Sequence, residues 1–252
     1  MSKLLVIVGS TRPTRSADLV LPWLTEKVSG HEAFDAEIVD LRDWPLPIFG
    51  EHFGTIGDIG DPTYSEPIVK AWNAKIKGAD AYVIVTPEYN HSVPGGLKNA
   101  IDSVWVSFGF RNKPVAFVSY AGGQTGGVRA IEHLVHVFVE TESVPVRNSV
   151  VIPHVRDAFG DDGQPKNPVV NVAADIMLDD LAWWTAALDK ARAGGELAPG
   201  TFRLQAALAA ARLFRVARAR GPVGLSARHR GAGCDRAGFA GRGQRAGVRD
   251  AA

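Results

Sequence analysis

Five short runs of consecutive apolar, largely β-branched residues punctuate the chain: Leu4 to Val8, Ala36 to Leu41, Ala81 to Val85, Val115 to Ser119 and Val150 to Ile152. A half-exposed strand alternates apolar with polar positions, whereas a run apolar at successive positions suits a strand covered on both faces. Helix-length amphipathic segments fill the intervals. Ser16 opens the first, the second is expected near 66–77, Pro94 begins the third, the fourth runs near 127–139 and the fifth near 168–193. Strand and helix in alternation predict an α/β fold, a doubly wound five-stranded parallel sheet. In the fifth helix, Ile176, Leu181, Trp184 and Leu188 are expected to cover a sheet face. Between the second strand and the second helix, the stretch from Trp44 to Tyr64 is too long and irregular for a simple connector. Such loops line a site or reach a partner.

Charge divides the chain in two. The net charge of +1 over 252 residues sums a segment 1–200 of net −8 and a segment 201–252 of net +9, the latter holding 11 Arg and no Lys. Ala, Gly and Arg supply 33 of those last 52 residues. The expected organisation is a folded domain over 1–198 and a basic tail over 199–252, helical near 201–220 and disordered beyond, where large apolar side chains are too few to offset ordering entropy. The tail reads equally as a segment foreign to the fold. One cysteine, Cys234, permits neither an internal disulfide nor a cysteine-based metal centre and fits a reducing cytoplasm. No apolar run near the start approaches the roughly 18 residues of a membrane span, and no export signal is apparent.

In an open α/β sheet, ligands bind beyond the carboxyl ends of the strands, so the loops after strands one, three and four matter most. The first, Gly9-Ser10-Thr11-Arg12-Pro13-Thr14-Arg15-Ser16, sets hydroxyls, two guanidinium groups and backbone N–H groups at a helix N-terminus, a combination suited to phosphate. It also reads as a plain strand-to-helix turn capped by Ser16. Neither the P-loop nor the dinucleotide pattern Gly-x-Gly-x-x-Gly is present, which disfavours triphosphate hydrolysis. The second, running from Thr86 to Asp102, joins two prolines and two glycines to Tyr89, Asn90 and Ser92, as a planar heteroaromatic ligand requires. Within it, His91 has no second ligand at metal spacing, Glu88 reads as a solvated or capping carboxylate, and Lys98, Asn99 and Asp102 read as framework or subunit contacts. The third, Ser119 to Arg129, has four glycines in six residues, which permits close backbone approach, and Tyr120 offers a second aromatic face.

At these residues the chain resembles the NADPH-dependent FMN reductase family, flavodoxin-like proteins that include quinone, azo-dye and chromate reductases. The resemblance rests on Gly-Ser-Thr-Arg-Pro-x-Arg after strand one, Pro-Glu-Tyr-Asn-x-Ser-x-Pro-Gly-x-Leu-Lys-Asn-Ala-Ile-Asp after strand three and Ser-Tyr-x-Gly-x-x-Gly-Gly after strand four. It implies strand order 2-1-3-4-5, noncovalently held FMN, a homodimer or homotetramer, and transfer of a hydride from NADPH or NADH through bound FMN to a quinone, flavin, azo compound or metal ion. Cofactor contacts are implied at Ser10, Arg12, Arg15 and Ser16 for the phosphate, at Pro87, Glu88, Tyr89, Asn90 and Ser92 along the ring, and at Ser119, Gly122 and Gly123 on its other edge. The flavin carries the redox chemistry, so no catalytic side chain is expected. Thr14 departs from the family's usual Gly, and a β-branched residue disfavours positive φ.

The alternative is a nonenzymatic flavodoxin-type electron carrier, against which the loop arginines and the strand-three motif stand. A third possibility, attraction of nucleic acid or anionic membrane by the +9 tail, rests on charge alone and implies no specific nucleic-acid partner. The partner expected of the folded domain is a small-molecule electron acceptor.

Overall fold

The computed structural model describes residues 1–57 and 63–219. Contacts divide the chain into Met1–Gly200 and Thr201–Ala252. The first unit contains β1 (Ser2–Val8), α1 (Ala17–Ser29), β2 (Phe34–Asp40), α2 (Pro67–Lys77), β3 (Ala81–Pro87), α3 (Gly95–Asp102), β4 (Pro114–Tyr120), α4 (Val128–Glu140), β5 (Val144–Pro145), β6 (Val150–Ile152) and α5 (Pro168–Ala193). Of the second unit, α6 is described over Gly200–Ala219. The disorder expected from residue 221 onward lies outside the described residues.

The sheet is parallel throughout, in the order β2-β1-β3-β4-β5, with β6 also paired to β4. This is the flavodoxin-like order. The fifth lane differs from expectation in being two short strands. Val144 and Pro145 pair with Pro114 and Val115, and Val150 to Ile152 pair with Val118 to Tyr120. Between them the chain leaves the ladder, and the Asn148 amide bonds Asp180 on α5.

All seven residues of β3 and of β4 are buried, as consecutive apolar runs require of central strands. One apolar cluster lies between the sheet and α1 with α5, containing Val6, Val83, Val118, Trp23 and Met177. Leu5, Ile84 and Phe117 point the other way, toward Trp72, Leu97 and Leu134. In α5 the buried stripe is Val170, Ala174, Met177, Leu178, Leu181 and Thr185. Of the four residues expected to cover the sheet only Leu181 is fully buried, while Ile176 and Trp184 face solvent. At 3.6 residues per turn, Ile176 and Leu181 stand roughly 140° apart, so one face could not take both.

α1 begins after Ser16, which has helical dihedrals and makes no side-chain capping bond. Gly9 fits where it does because a Cβ there would stand 2.8 Å from a Leu97 methyl and 3.2 Å from the Val85 carbonyl oxygen. That contact seats the loop after β1 against α3.

Candidate active site

At the carboxyl ends of β1, β3, β4 and β6 lies a cleft of about 340 Å³. Its size is that of a small-molecule site. The loop after β1 contributes Arg12, Thr14, Arg15 and Ser16, and β3 contributes Pro87, Glu88 and Tyr89. Tyr120, Ala121 and Gly122 form the third wall, and Val155 and Arg156 the fourth.

The two loop arginines, alike in sequence, do different work. Arg15 is buried. Its Nη1 donates to Asp40 Oδ1 and to the Ser10 carbonyl, both at 2.7 Å, its Nη2 to Asp40 Oδ2 at 2.6 Å, and its Nε to Asp18 at 2.9 Å. Burial opposes its charge, but the hydrogen bonds it donates to both carboxylates, with their negative charge, outweigh that and raise its pKa. Burial would likewise raise the Asp40 carboxyl, yet the bonds from Arg15 and from the Arg42 backbone and side chain bring it down to about 2. Arg15 therefore fixes the shape of the loop. Arg12 is exposed, lying 3.8 Å over the Tyr89 ring. Thr14 is absent from the positive-φ residues among those described, so its branched side chain meets no backbone strain.

Tyr89 to Ser92 close a two-residue hairpin. Each backbone N–H donates to the other's carbonyl, at 2.9 and 3.0 Å, and Asn90 and His91 both adopt positive φ, of 50° and 67°. That is the geometry of a type I′ turn. The Tyr89 and Ser10 hydroxyls pair at 2.7 Å, and Ser10 is fully covered. Ser92 shares a hydrogen bond with His133 at 2.8 Å. Glu88 forms an ion pair with Arg129, whose Nη1 also meets His91 Nδ1 at 3.0 Å. His133 thus approaches His91, with ring centroids 6.3 Å apart, although 41 residues separate Ser92 from His133. Among the described residues no group of three or more His, Cys, Asp or Glu side chains could hold a metal ion.

The third wall splits by exposure. Gly126 and Gly127 have positive φ, and Cβ atoms there would strike Val151 and Ser119, so they serve the turn. Gly122 and Gly123 face open space, with nothing within 4 Å of a Cβ position. Ser119 is buried and donates to the Gly126 carbonyl at 2.9 Å. Tyr120 does not offer an aromatic face, because its ring is 2% exposed within the core beneath α1 and α5. Its hydroxyl is buried beside the Ser10 hydroxyl and makes no well-formed hydrogen bond among the described residues, and the residue lines the cleft. Burial, reinforced by nearby Tyr89 and opposed by the Ser10 hydroxyl, raises its pKa, so the phenol remains neutral.

Of the anticipated contacts, Arg12, Arg15, Ser16, Pro87, Glu88, Tyr89 and Gly122 border the cleft. Ser10 and Ser119 stand behind its walls, and Asn90, Ser92 and Gly123 lie beside it. Residue patterns missed Asp40, Tyr120 as a hydroxyl, Val155 and Arg156. An Asp closing strand two beside an arginine-bearing loop was the available signal for Asp40. Nothing local marked Arg156. Asn99 proves to be framework, accepting from the Phe49 N–H and donating to the Pro47 carbonyl, and Lys98 pairs with Asp102 on its own helix.

This set fits a flavin phosphate ester. Among the described residues, a buried hydroxyl makes no well-formed hydrogen bond, an arginine has no carboxylate, and two glycines leave open space. Residues 2–157 match the family model described as NADPH-dependent FMN reductase. The chain belongs to that family. It is an oxidoreductase that uses FMN with NADPH or NADH. The chain is 38% identical over 153 residues to an NAD(P)H-dependent FMN reductase of Schizosaccharomyces pombe, covering 60% of this chain and 74% of that protein. It is 29% identical over 167 residues to an NADPH azoreductase of a Bacillus species, covering 65% and 85%. In fold it is similar to FerB, a flavoenzyme NAD(P)H:(acceptor) oxidoreductase of Paracoccus denitrificans, with a TM-score of 0.61 and 22% identity over 74% of this chain and 98% of that one. The flavodoxin-type electron carrier finds no support in these relatives.

Proposed function

We propose that the cleft holds FMN with its phosphate on the loop after β1 and its ring between the loops after β3 and β4, and that the enzyme reduces a small-molecule acceptor of the quinone, flavin, azo or oxidised metal-ion kind. Bound there, FMN supplies the hydride chemistry between NAD(P)H and acceptor. Arg12 and Ser16 meet the phosphate, Arg15 holds the loop through Asp40, and Ser10 acts through the Tyr89 hydroxyl it holds. Pro87, Glu88, Tyr89, Asn90 and Ser92 form one border of the ring. Ser119, through the turn it bonds, shapes the other at Gly122 and Gly123. The observation that carries this assignment is the meeting in one cleft of Arg12, an arginine without a carboxylate among the described residues, with Tyr120, whose buried hydroxyl beside Ser10 makes no well-formed hydrogen bond there.

The working unit is the domain over 1–198, with the basic tail over 199–252 appended to it. It assembles as a homodimer or homotetramer, for which exposed apolar side chains argue: Ile48 is 93% exposed, and Phe53 and Trp105, stacked edge-to-face at 4.9 Å, are each 41% exposed. Trp44, from the same loop, packs against Trp72 of its own chain instead. The single cysteine suits the cytoplasm as its setting. No helix among the described residues is long and apolar enough to cross a membrane.

The test is spectroscopic. A yellow purified protein whose visible absorbance bleaches on anaerobic addition of NADPH or NADH and returns with quinone supports the assignment. Bound FMN that fails to bleach overturns the reductase activity, and no flavin after reconstitution overturns the site.

A further inference from the structure

Four arginines stand at or beside the cleft, and their surroundings sort them into two pairs. Arg15 is held by Asp40 and Asp18, and Arg129 by Glu88. Arg12 meets only the Tyr89 ring, and Arg156, which is exposed, makes no hydrogen bond or ion pair among the described residues. A guanidinium at a cleft wall without a carboxylate is a ready anion ligand, because binding displaces no existing ion pair.

The backbone of Arg156 is fixed although its side chain is not. The turn after β6 is clipped to the glycine loop by bonds from the His154 N–H to the Gly123 carbonyl at 3.2 Å and from the Val155 N–H to the Ala121 carbonyl at 3.0 Å. Val155 is buried and anchors the turn. Two strands, β3 and β4, separate β6 from β1, yet Arg156 lines the same cleft as Thr14 and Ser16. Gly122 lines the same cleft with open space where a Cβ would be.

A phosphomonoester carries about −1.5 to −2 charge at neutral pH, so one arginine leaves much of it uncompensated. We propose that Arg156 is the second phosphate arginine of this site, meeting the FMN phosphate from the turn after β6, and that Arg12 and Arg156 together select FMN over riboflavin. The inference rests on the assignment of the FMN phosphate to the loop after β1. It adds a residue that lies outside every motif of the three glycine-bearing loops.

The experiment compares FMN and riboflavin binding to flavin-stripped wild type, Arg156→Met, Arg156→Lys and Arg12→Met by fluorescence quenching, at low and high salt. Arg156→Met is expected to weaken FMN about tenfold and leave riboflavin within about twofold. Arg156→Lys should retain part of the affinity, and the salt dependence of FMN binding should fall in Arg156→Met. Thermal unfolding should be unchanged, since Arg156 has no bonds to lose. Unaltered FMN affinity in Arg156→Met beside a weakened Arg12→Met overturns the inference alone. Equal losses for riboflavin and FMN, or an effect confined to the KM for NADPH, overturn it too. If both variants bind FMN like wild type, the phosphate assignment itself fails.

Discussion

The two ends of the sheet are built from similar residue types and treat them in opposite ways. At the amino end, Arg111, Arg192 and Lys113 are each answered. Arg111 is paired with Glu142 and Glu196 and bonds the Leu197 carbonyl, and Arg192 meets Asp189, Asp80 and the Asn112 carbonyl. Lys113 donates to the Lys77 and Gly109 carbonyls at 2.8 and 3.1 Å, and burial lowers its pKa to about 8. At the carboxyl end, among the described residues, Arg12 and Arg156 have no carboxylate and the Tyr120 hydroxyl, beside Ser10, makes no well-formed hydrogen bond. Polar groups satisfied within the chain hold the fold, and those left unsatisfied mark where a ligand completes the structure.

Substitutions at the two ends should therefore separate stability from flavin binding. The largest effect is expected from Arg111→Ala, which removes the bonds to Glu142, Glu196 and the Leu197 carbonyl and should cost on the order of 3 kcal/mol in chemical denaturation while leaving the FMN affinity of the folded protein unchanged. Arg12→Met should do the reverse, weakening FMN by about thirtyfold, or ~2 kcal/mol, in a flavin titration without altering the denaturation midpoint. If either change moves both readouts alike, the division between the two ends fails.

The Arg15 and Asp40 pair sharpens the comparison, because it is a satisfied pair at the binding end. The folded Asp40 pKa of about 2 lies below the ordinary aspartate value of 3.8, so its stabilisation is present above pH about 3.8 and is lost as pH falls toward about 2. Acid titration of stability should show a loss of roughly 1–2 kcal/mol there that Asp40→Asn no longer shows, its own neutral-pH stability being lower. The smallest effect belongs to Tyr120→Phe. Removing a buried hydroxyl that makes no well-formed hydrogen bond among the described residues should raise the stability of the flavin-free protein by about 1 kcal/mol. A decrease would mean that the hydroxyl is bonded within the chain after all.

Five of the six strands, the sheet order implied by family motifs, and three of the four loops that border the cleft were legible along the chain. Consecutive apolar runs announce buried strands because burial on two faces leaves no polar position, and Ser10 to Ser16 announce an anion loop because the needed groups are neighbours in sequence. The exposed face of α5 was misjudged by choosing large apolar residues without their helical angles, which placed Ile176 and Trp184 against the sheet.

What lay beyond reach shares one physical cause, contact between residues distant in the chain. Whether an arginine binds a ligand or braces a loop depends on what stands opposite it. Arg12 and Arg15 are three positions apart, and only the arrival of Asp40 from β2 makes one structural and leaves the other open. Tyr120 reads as an aromatic wall until packing buries its ring and leaves its hydroxyl at the cleft. Arg156 has no motif at all, and the parallel pairing of β6 with β4 is what brings it to the wall. The sequence by itself determined the strands, the fold class and the chemical kinds of group at the cleft, because these follow from local pattern and composition. Tertiary structure alone decided which of those groups are spent on one another and which remain for a ligand, because charge pairing and burial act through space.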